Sequence, residues 1–319
     1  MNRLIGLLTT ALLLATPLAQ GENAVEETQT TLRSEMLRLI NRDRAMYRLA
    51  PVQLDPITST IADRYCRTQI RNGTTGHFTV DGQAPYMRYS FSGGNDGLSE
   101  NTAAWSATYT FSERALYEMV RRSQDAMMAE EPPHDGHRRT ILDPSATHVG
   151  IGFAWEKGEF RIAQEFIRRY VDWTRPLPRA ASVGEQITCA GKPSNGMKIE
   201  AISVHHEALP QSMPPHVANL INSYRLPDTR KDYLPRLRTV YAMREDRTLH
   251  ILKQEYSDGR RGDFFVGDDG GFSFTVPFPD GPGIYTVVVW VKKDGEKNPI
   301  AASNVSIRVD TPAATYGSR

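Results

Sequence analysis

Residues 134–152 have the sequence HDGHRRTILDPSATHVGIG, in which a histidine-rich segment leads into an apolar run typical of a buried strand. Histidine is scarce, with eight residues in the whole chain, yet four of them fall between His77 and His148. Imidazole and carboxylate groups are what a divalent cation or a proton-transfer site requires. We therefore expect the functional site near this stretch, held rigidly by the strand that begins beside His148.

Three segments around and before this region have the apolar spacing of helices. They cover residues 26–49, 55–72 and 111–130, and the second opens on Asp55, a residue that suits a helix cap. The apolar residues expected on the inner face of the second helix are Ile57, Ile61, Tyr65 and Ile70. Residues 74–98 are rich in Gly, Ser and aromatic residues, which favours a long surface loop.

Two strand-like runs, 149–155 and 160–170, follow the third helix and are joined by a hairpin signal at Gly158. The first half is therefore predicted to be α+β, in a layered α-β-α arrangement. In the second half, segments of two-residue alternation are separated by Gly and Pro, which is typical of a small antiparallel β-sandwich. The candidates for its core are Phe272, Phe274, Val276, Val287, Val289, Val291, Val305, Ile307 and Val309.

The first residues have the pattern of a secretory signal. Arg3 precedes an apolar run of about a dozen residues, too short to span a bilayer, and cleavage after Gly21 fits a small-x-small pattern. No later segment is long and apolar enough to cross a membrane, so we expect an exported protein, secreted or periplasmic. Lys and Arg number 38 against 37 for Asp and Glu, a balance that argues against nucleic acid as a partner.

Two cysteines exclude a disulfide-dense scaffold. Cys66 lies in a helical pattern and Cys189 in a strand-like segment far along the chain. In an oxidising compartment they could pair across the two halves, remain separate thiols or pair with another chain. The sequence leaves these possibilities open.

The order of four short motifs resembles the CAP superfamily, which includes cysteine-rich secretory proteins, venom antigen five and plant pathogenesis-related proteins. The motifs are Gly76-His77, Ser99-Glu100-Asn101, residues 136–144 and residues 147–152. The resemblance covers about residues 30–170 and implies a three-layer α-β-α sandwich. The expected organisation is a signal peptide at 1–21, a CAP domain at 28–173, a Pro-bearing linker at 174–181, a β-sandwich domain at 182–310 and a flexible tail at 311–319.

The resemblance also implies a cleft with two histidines and two acids, which binds a divalent cation in some members. The matching residues in this sequence are His77, Glu100, Glu130 and His137. The second acid follows the third helix, and Glu131 is the alternative to Glu130. His134 is an additional candidate, either at the rim or in the ligand set. His148 adjoins the buried strand and is expected to be structural.

Two functions of different classes remain open at this stage. In the first, the chain is a binding or interaction protein whose cleft holds zinc or another divalent cation, or a small apolar ligand, while the sandwich docks to a protein or envelope partner. In the second, a metal-bound water or a Ser/His/Glu arrangement hydrolyses a peptide, ester or cell-wall bond. The absence of a clear nucleophile favours the first. The sandwich is expected to bring no catalytic group of its own, because its histidines and acids show no clustered spacing.

Overall fold

The computed structural model describes residues 17–312 except 239, 244–247 and 253. Most of the predicted signal peptide at 1–21 and most of the predicted tail at 311–319 therefore lie outside the described residues. None of the described helices combines the length and the apolar composition that crossing a membrane requires.

The order of helices and strands separates a mixed first half from a strand-rich second half. Within the described residues, the helices are α1 (Pro17–Met46), α2 (Pro56–Asn72), α3 (Pro85–Phe91), α4 (Glu113–Met128), α5 (Gly136–Ile141) and α6 (Pro215–Ala218). The strands of the first half are β1 (Gln53–Leu54), β2 (Gly97–Ser106), β3 (His148–Glu156) and β4 (Glu159–Arg168). Those of the second half are β5 (Val171–Arg175), β6 (Ala180–Ser182), β7 (Ile187–Pro193), β8 (Met197–Glu207), β9 (Arg230–Tyr233), β10 (Val240–Met243), β11 (Leu249–Leu252), β12 (Phe265–Val266), β13 (Phe272–Val276), β14 (Gly283–Lys293), β15 (Ile300–Ala301) and β16 (Val305–Asp310).

The first half is a three-layer sandwich around a sheet of order β1-β3-β4-β2. β3 and β4 form an antiparallel hairpin, and β2 pairs antiparallel with the other edge of β4. Helices α1 and α4 pack on each other and share a core with one face of the sheet, while α2 packs on the other face. The predicted α-β-α layering is therefore confirmed.

The alternating side chains of β3 explain this layering. The residues fully buried in the core shared with α1 and α4 are Val149, Ile151 and Phe153. Gly150 and Gly152 face α2 instead. A Cβ at Gly150 would lie 2.5 Å from Thr58 Cγ2, and one at Gly152 would lie 2.2 Å from the carbonyl carbon of Ala62. These two positions must be glycine for the helix to lie so close to the strand.

Helix α2 begins where the sequence predicts, because the Asp55 carboxylate accepts the Thr58 amide at 2.7 Å. It ends at Gly73, whose left-handed φ of 65° suits a residue without a Cβ. The predicted inner face is wrong at Ile57, which is 75% exposed, while Ile61 is buried. Ile57 lies one position before the stripe that starts at Thr58 and meets the sheet.

The predicted surface loop at 74–98 is wrong in its second part, where α3 forms on Pro85 in the first turn. Tyr86 to Ser90 are buried. Part of this burial comes from the second half of the chain, since the Ser306 amide donates to Ser90 Oγ at 2.9 Å. When a helix is buried by such distant partners, its apolar residues need not recur at helical spacing, so the sequence alone does not indicate it.

Strand β2 and helix α5 were also not predicted from the sequence. β2 is covered on both faces and buries Glu100 and Asn101 among its residues, so it lacks the alternation of a half-exposed strand. α5 spans six residues, too few for a helical period to be recognised.

The second half packs two sheets face to face, of order β12-β13-β7-β5 and β6-β16-β14-β8-β9, with β15 paired to β14. All nine residues predicted for its core are buried in a single cluster. The α+β fold with an added β-sandwich is therefore confirmed. β10 and β11 pair with each other as an antiparallel hairpin.

The segment 174–181, predicted as a linker, is held along its length. Its first residues end β5, which pairs with β7, and its last residues belong to β6, which pairs with β16. Between them, Leu177 is 3% exposed in the core of the sandwich. Backbone pairing and this one apolar side chain fix a segment whose prolines indicated an open connection.

The two halves share an interface at the start of β2. The Asn304 side chain accepts the Leu98 amide and donates to the Leu98 carbonyl, each at 3.0 Å. The neighbouring Gly97 amide donates to the Ala302 carbonyl at 2.9 Å. The strand that carries Glu100 is thus paired inside its own sheet and bonded at its first residues by the second half.

Cys66 and Cys189 do not pair and are buried free thiols. Cys66 packs between α2 and the sheet of the first half, and Cys189 lies in the core of the sandwich. Burial raises the pKa of both thiols, which keeps them in the less reactive protonated form.

We predict that Gly97→Ala destabilises the protein, because the added Cβ would lie 2.2 Å from the Ala301 carbonyl oxygen. A clash with backbone cannot be relieved by a side-chain rotation, and overpacking of this kind costs about 1–3 kcal/mol. Differential scanning calorimetry would detect it as a lower midpoint. Gly136→Ala is the control, since its Cβ would meet nothing within 4 Å. Equal midpoints for the two variants would contradict the tight contact.

Candidate functional site

The structure brings His77 and His137 together although they are sixty residues apart. Their ring centres are 6.4 Å apart and the ring planes are inclined by 35°. His77 lies in the irregular segment before α3, and His137 lies in the first turn of α5. Bonds of about 2 Å from each ring nitrogen would allow one cation to be shared at this separation.

The His77 ring is fixed by Glu100 of β2. His77 Nδ1 and Glu100 Oε1 are 2.8 Å apart, and both side chains are almost fully buried. The ionised carboxylate accepts a hydrogen bond from the N–H at Nδ1. A buried acceptor in this position holds both the orientation of the ring and its tautomer.

Arg88 of α3 holds the other side of this pair. Its Nη2 bonds the second carboxylate oxygen of Glu100, and its Nη1 donates to the His77 carbonyl at 2.6 Å. The guanidinium also lies 3.5 Å from the ring centre of Tyr65. Burial by itself would raise the pKa of Glu100, but the Arg88 charge and the hydrogen bond with His77 outweigh it and leave that pKa below its ordinary value. Glu100 is therefore an ionised, paired carboxylate.

Glu165 of β4 is the cross-strand neighbour of Glu100 and is also buried. Its Oε1 lies 4.0 Å from Arg88 Nη2, and its Oε2 has no hydrogen-bond partner among the described residues. Burial, and then the charge of Glu100, raise the pKa of Glu165 well above its ordinary value. One guanidinium thus faces two acids, of which Glu165 favours the protonated form.

The His137 ring is fixed by Glu130, which follows α4. One carboxylate oxygen bonds His137 Nδ1, and the other accepts the His137 amide at 2.9 Å. Glu130 therefore binds the first turn of α5 through backbone and side chain at once. Asn101 of β2 donates to the His137 carbonyl at 3.1 Å and so ties α5 to the sheet.

Both histidines therefore have the same arrangement, with Nδ1 bonded to a glutamate. In each ring the proton on Nδ1 leaves a lone pair on Nε2, the nitrogen for which no hydrogen bond is found among the described residues. A histidine oriented by a carboxylate through one nitrogen and free at the other is the usual form of a metal-binding imidazole.

The rings line a cleft of about 630 Å³. Most of its lining residues carry a polar side chain. The lining residues from the first half are His77, Ser99, Glu100, Asn101, Glu130, Pro133, His134, Gly136, His137, Arg139 and Thr140, and those from the second half are Asn222, Ser223 and Tyr224. The segment after α6 reaches across to the cleft, so the second half contributes part of its wall.

The other candidate residues named from the sequence lie at different places relative to the cleft. Glu130 lies against His137, whereas Glu131 is exposed and does not line the cleft. His134 lies exposed at the rim. His148 lies outside the cleft, bonded to Thr147 Oγ1 at 2.9 Å, and burial lowers its pKa.

Arg88, Glu165 and Tyr224 were missed by the sequence reasoning. Arg88 lies in the segment predicted as a loop, although the Pro85 that opens α3 was a signal for a helix start. Glu165 lies inside a strand pattern, where a single acid gives no sign of its burial. Tyr224 lies in an irregular part of the second half, and no local pattern links it to a cleft more than a hundred residues earlier.

Ser99 does not have the geometry of an activated nucleophile. Its hydroxyl accepts a hydrogen bond from Arg168 Nη1 at 2.9 Å. No hydrogen bond within the described part of the chain joins a serine hydroxyl to His77 or His137. The Ser/His/Glu arrangement considered from the sequence therefore has no observed counterpart.

The donor set suits a cation that is held by few protein ligands. Within the described ranges, no three His, Cys, Asp or Glu side chains are arranged as a ligand set. His77 and His137 supply two nitrogens, and their glutamates are already bonded to the opposite side of each ring. A cation held here would complete its coordination with water or with atoms of a second ligand.

The family model of the cysteine-rich secretory protein (CAP) family matches residues 37–165. No curated protein matches the chain. Among solved structures, the chain is similar to an extracellular protein containing a SCP domain from Bacillus anthracis str. Ames, with 18% sequence identity and a TM-score of 0.35. The match covers 49% of this chain and 44% of that one, so it spans less than half of either.

The buried charges yield a stability prediction. Arg88→Met leaves the Glu100 carboxylate buried without its cation, which costs roughly 3–5 kcal/mol. Glu165→Gln replaces a group that already favours its neutral form and should cost less than about 1.5 kcal/mol. Urea unfolding at pH 7 measures both. A loss for Glu165→Gln as large as that for Arg88→Met would contradict a neutral Glu165.

Proposed function

Because residues 37–165 form a CAP domain, we propose that this chain is a secreted or periplasmic CAP protein that binds a divalent cation between His77 and His137. The proposal rests on one observation, that Nδ1 of each histidine ring is hydrogen-bonded to a glutamate. It leaves two Nε2 atoms available on rings whose centres are 6.4 Å apart.

The chemistry of these groups favours zinc or a similar transition metal. Neutral imidazole is a good ligand for zinc and copper, whereas calcium and magnesium require oxygen ligands. Glu100 and Glu130 would not bind the cation themselves. Each would hydrogen-bond one ligand imidazole at Nδ1 and raise the basicity of that ring. The remaining positions on the cation would be open to water or to a second ligand.

The lining of the cleft supports a cation over a small apolar ligand. Ligand pockets for apolar molecules are walled mainly by aliphatic and aromatic side chains. Here the side chains of the lining carry hydroxyl, amide, imidazole, carboxylate and guanidinium groups, and of the lining residues only Pro133 and Gly136 have no polar side chain. A bound apolar molecule would cover polar groups without replacing their hydrogen bonds to water.

Binding is favoured over hydrolysis by a Ser/His/Glu arrangement. The Ser99 hydroxyl is bonded by Arg168, and neither cleft histidine is hydrogen-bonded to a serine among the described residues. Glu100 is bonded to His77 and Arg88, and Glu130 to His137, so the acid nearest each ring already serves to orient it. Among the described residues, the cleft therefore offers two imidazoles that could bind a cation and no serine prepared as a nucleophile.

We predict that His77→Ala and His137→Ala each weaken zinc binding about tenfold or more, which corresponds to about 1.4 kcal/mol. Each variant removes one of the two imidazole ligands. Isothermal titration calorimetry of the full chain with zinc measures the affinity, and circular dichroism checks that the fold is retained.

His148→Ala is the matched control, because it removes a histidine of the same domain that lies outside the cleft. This variant should bind zinc like the unchanged protein. The proposal fails if the unchanged protein binds no zinc, or if all three variants lose affinity equally.

A further inference from the structure

A segment of the second half lies across the first. Residues 208–229 connect β8 to β9, which are hydrogen-bonded neighbours in the same sheet. The connection leaves that sheet, reaches the region around His77 and returns. We refer to residues 208–229 as the crossing segment.

The crossing segment is hydrogen-bonded to the loop that carries His77. The Met213 amide donates to the Val80 carbonyl at 2.8 Å. The Asn219 side chain accepts the Thr75 amide at 2.9 Å and donates to the Gly73 carbonyl at 3.0 Å. These contacts lie on both sides of His77 in the sequence, so the segment spans the loop.

Two glycines of this loop allow the close approach. A Cβ at Gly76 would lie 3.2 Å from the Ile221 carbonyl oxygen. A Cβ at Gly82, whose φ is +80°, would lie 2.5 Å from the Gln211 carbonyl oxygen. The loop and the crossing segment are therefore packed backbone against backbone next to the cleft.

Tyr224 then contacts both members of the buried pair. Its ring packs edge-on against the His77 ring, with the ring centres 4.8 Å apart. Its hydroxyl oxygen accepts the Glu100 amide. A single side chain thus restrains the ring of His77 and the backbone of the acid that orients it.

Among the described residues, the hydrogen bonds that hold His137 come from the first half. Its ring and amide are bonded by Glu130, and its carbonyl by Asn101. One imidazole of the cleft is therefore positioned by its own domain, and the other by both halves of the chain.

We propose that Tyr224 is a positioning residue that orients His77 for ligand binding, and that the crossing segment makes the second half a structural part of the cleft. The inference rests on the proposed cation site for its functional consequence. Asn222 and Ser223 line the same cleft, so the segment also supplies a polar wall toward a bound ligand.

The test compares variants of the full chain by zinc titration. Tyr224→Ala removes the ring contact and the hydroxyl. It should weaken zinc binding by about 10-fold, the usual effect of removing a residue that orients a metal ligand. Tyr224→Phe keeps the ring contact and should recover most of the affinity. Tyr256→Ala changes a tyrosine of the same half that contacts the Pro235 carbonyl outside the cleft, and it should bind like the unchanged protein.

A second readout separates positioning from a general loss of stability. In protein labelled with ¹⁵N at histidine, a ring held with its proton on Nδ1 gives distinct Nδ1 and Nε2 signals, and a freed ring averages them. In Tyr224→Ala the His77 signals should move toward each other while those of His137 stay in place. Asn219→Ala breaks an exposed anchor of the crossing segment and should change the His77 signals in the same direction, even where Tyr224→Ala folds poorly.

The outcomes distinguish the two proposals. Unchanged His77 signals in Tyr224→Ala, or unchanged signals in Asn219→Ala where Tyr224→Ala does not fold, would overturn the positioning role. Equal or tighter zinc binding by Tyr224→Ala would do the same. If the unchanged protein binds no zinc, the cation proposal fails, and the histidine signals without metal still decide whether Tyr224 positions His77.

Discussion

The direct packing of α2 on the glycines of β3 is the constraint on which the rest of the site depends. Without Cβ atoms at Gly150 and Gly152, the helix backbone lies against the strand. From this position Tyr65 and Gln69 of α2 both donate to the Gly76 carbonyl, the residue before His77. The sheet thus determines the place of the helix, and the helix determines where the loop of His77 begins.

The second requirement is a buried charge that remains compensated. Arg88 is buried beside Glu100 and Glu165, and its guanidinium lies against the Tyr65 ring. An uncompensated carboxylate at Glu100 would be strongly unfavourable in this environment. With Arg88 in place, Glu100 stays ionised and can hold the Nδ1 proton of His77. The electrostatics of the interior therefore determine which nitrogen the ring presents to the cleft.

Local patterns in the sequence were sufficient for the elements that bury one continuous face. Helices α1, α2 and α4, the β3–β4 hairpin and the alternating core of the sandwich were all predictable in this way. The two histidines that meet in the cleft were instead named from the family resemblance, through the order of their motifs. The parts that were missed are buried by distant partners. Ser90 of α3 is bonded by Ser306, and Glu100 is bonded by Tyr224, 124 residues further along the chain. Such contacts exist only after both halves have folded, so the spacing of residues within a short segment cannot predict them.

The crossing segment also limits how the chain can be divided. Domains are commonly regarded as modules that recombine by exchange at their linkers. A transplant of residues 37–165 alone onto another scaffold would leave the amide of Thr75 and the carbonyl of Val80 without the partners that residues 208–229 provide. Any transfer of this cleft to another protein therefore has to include residues 208–229 of the second half, or replace them with another backbone of the same shape.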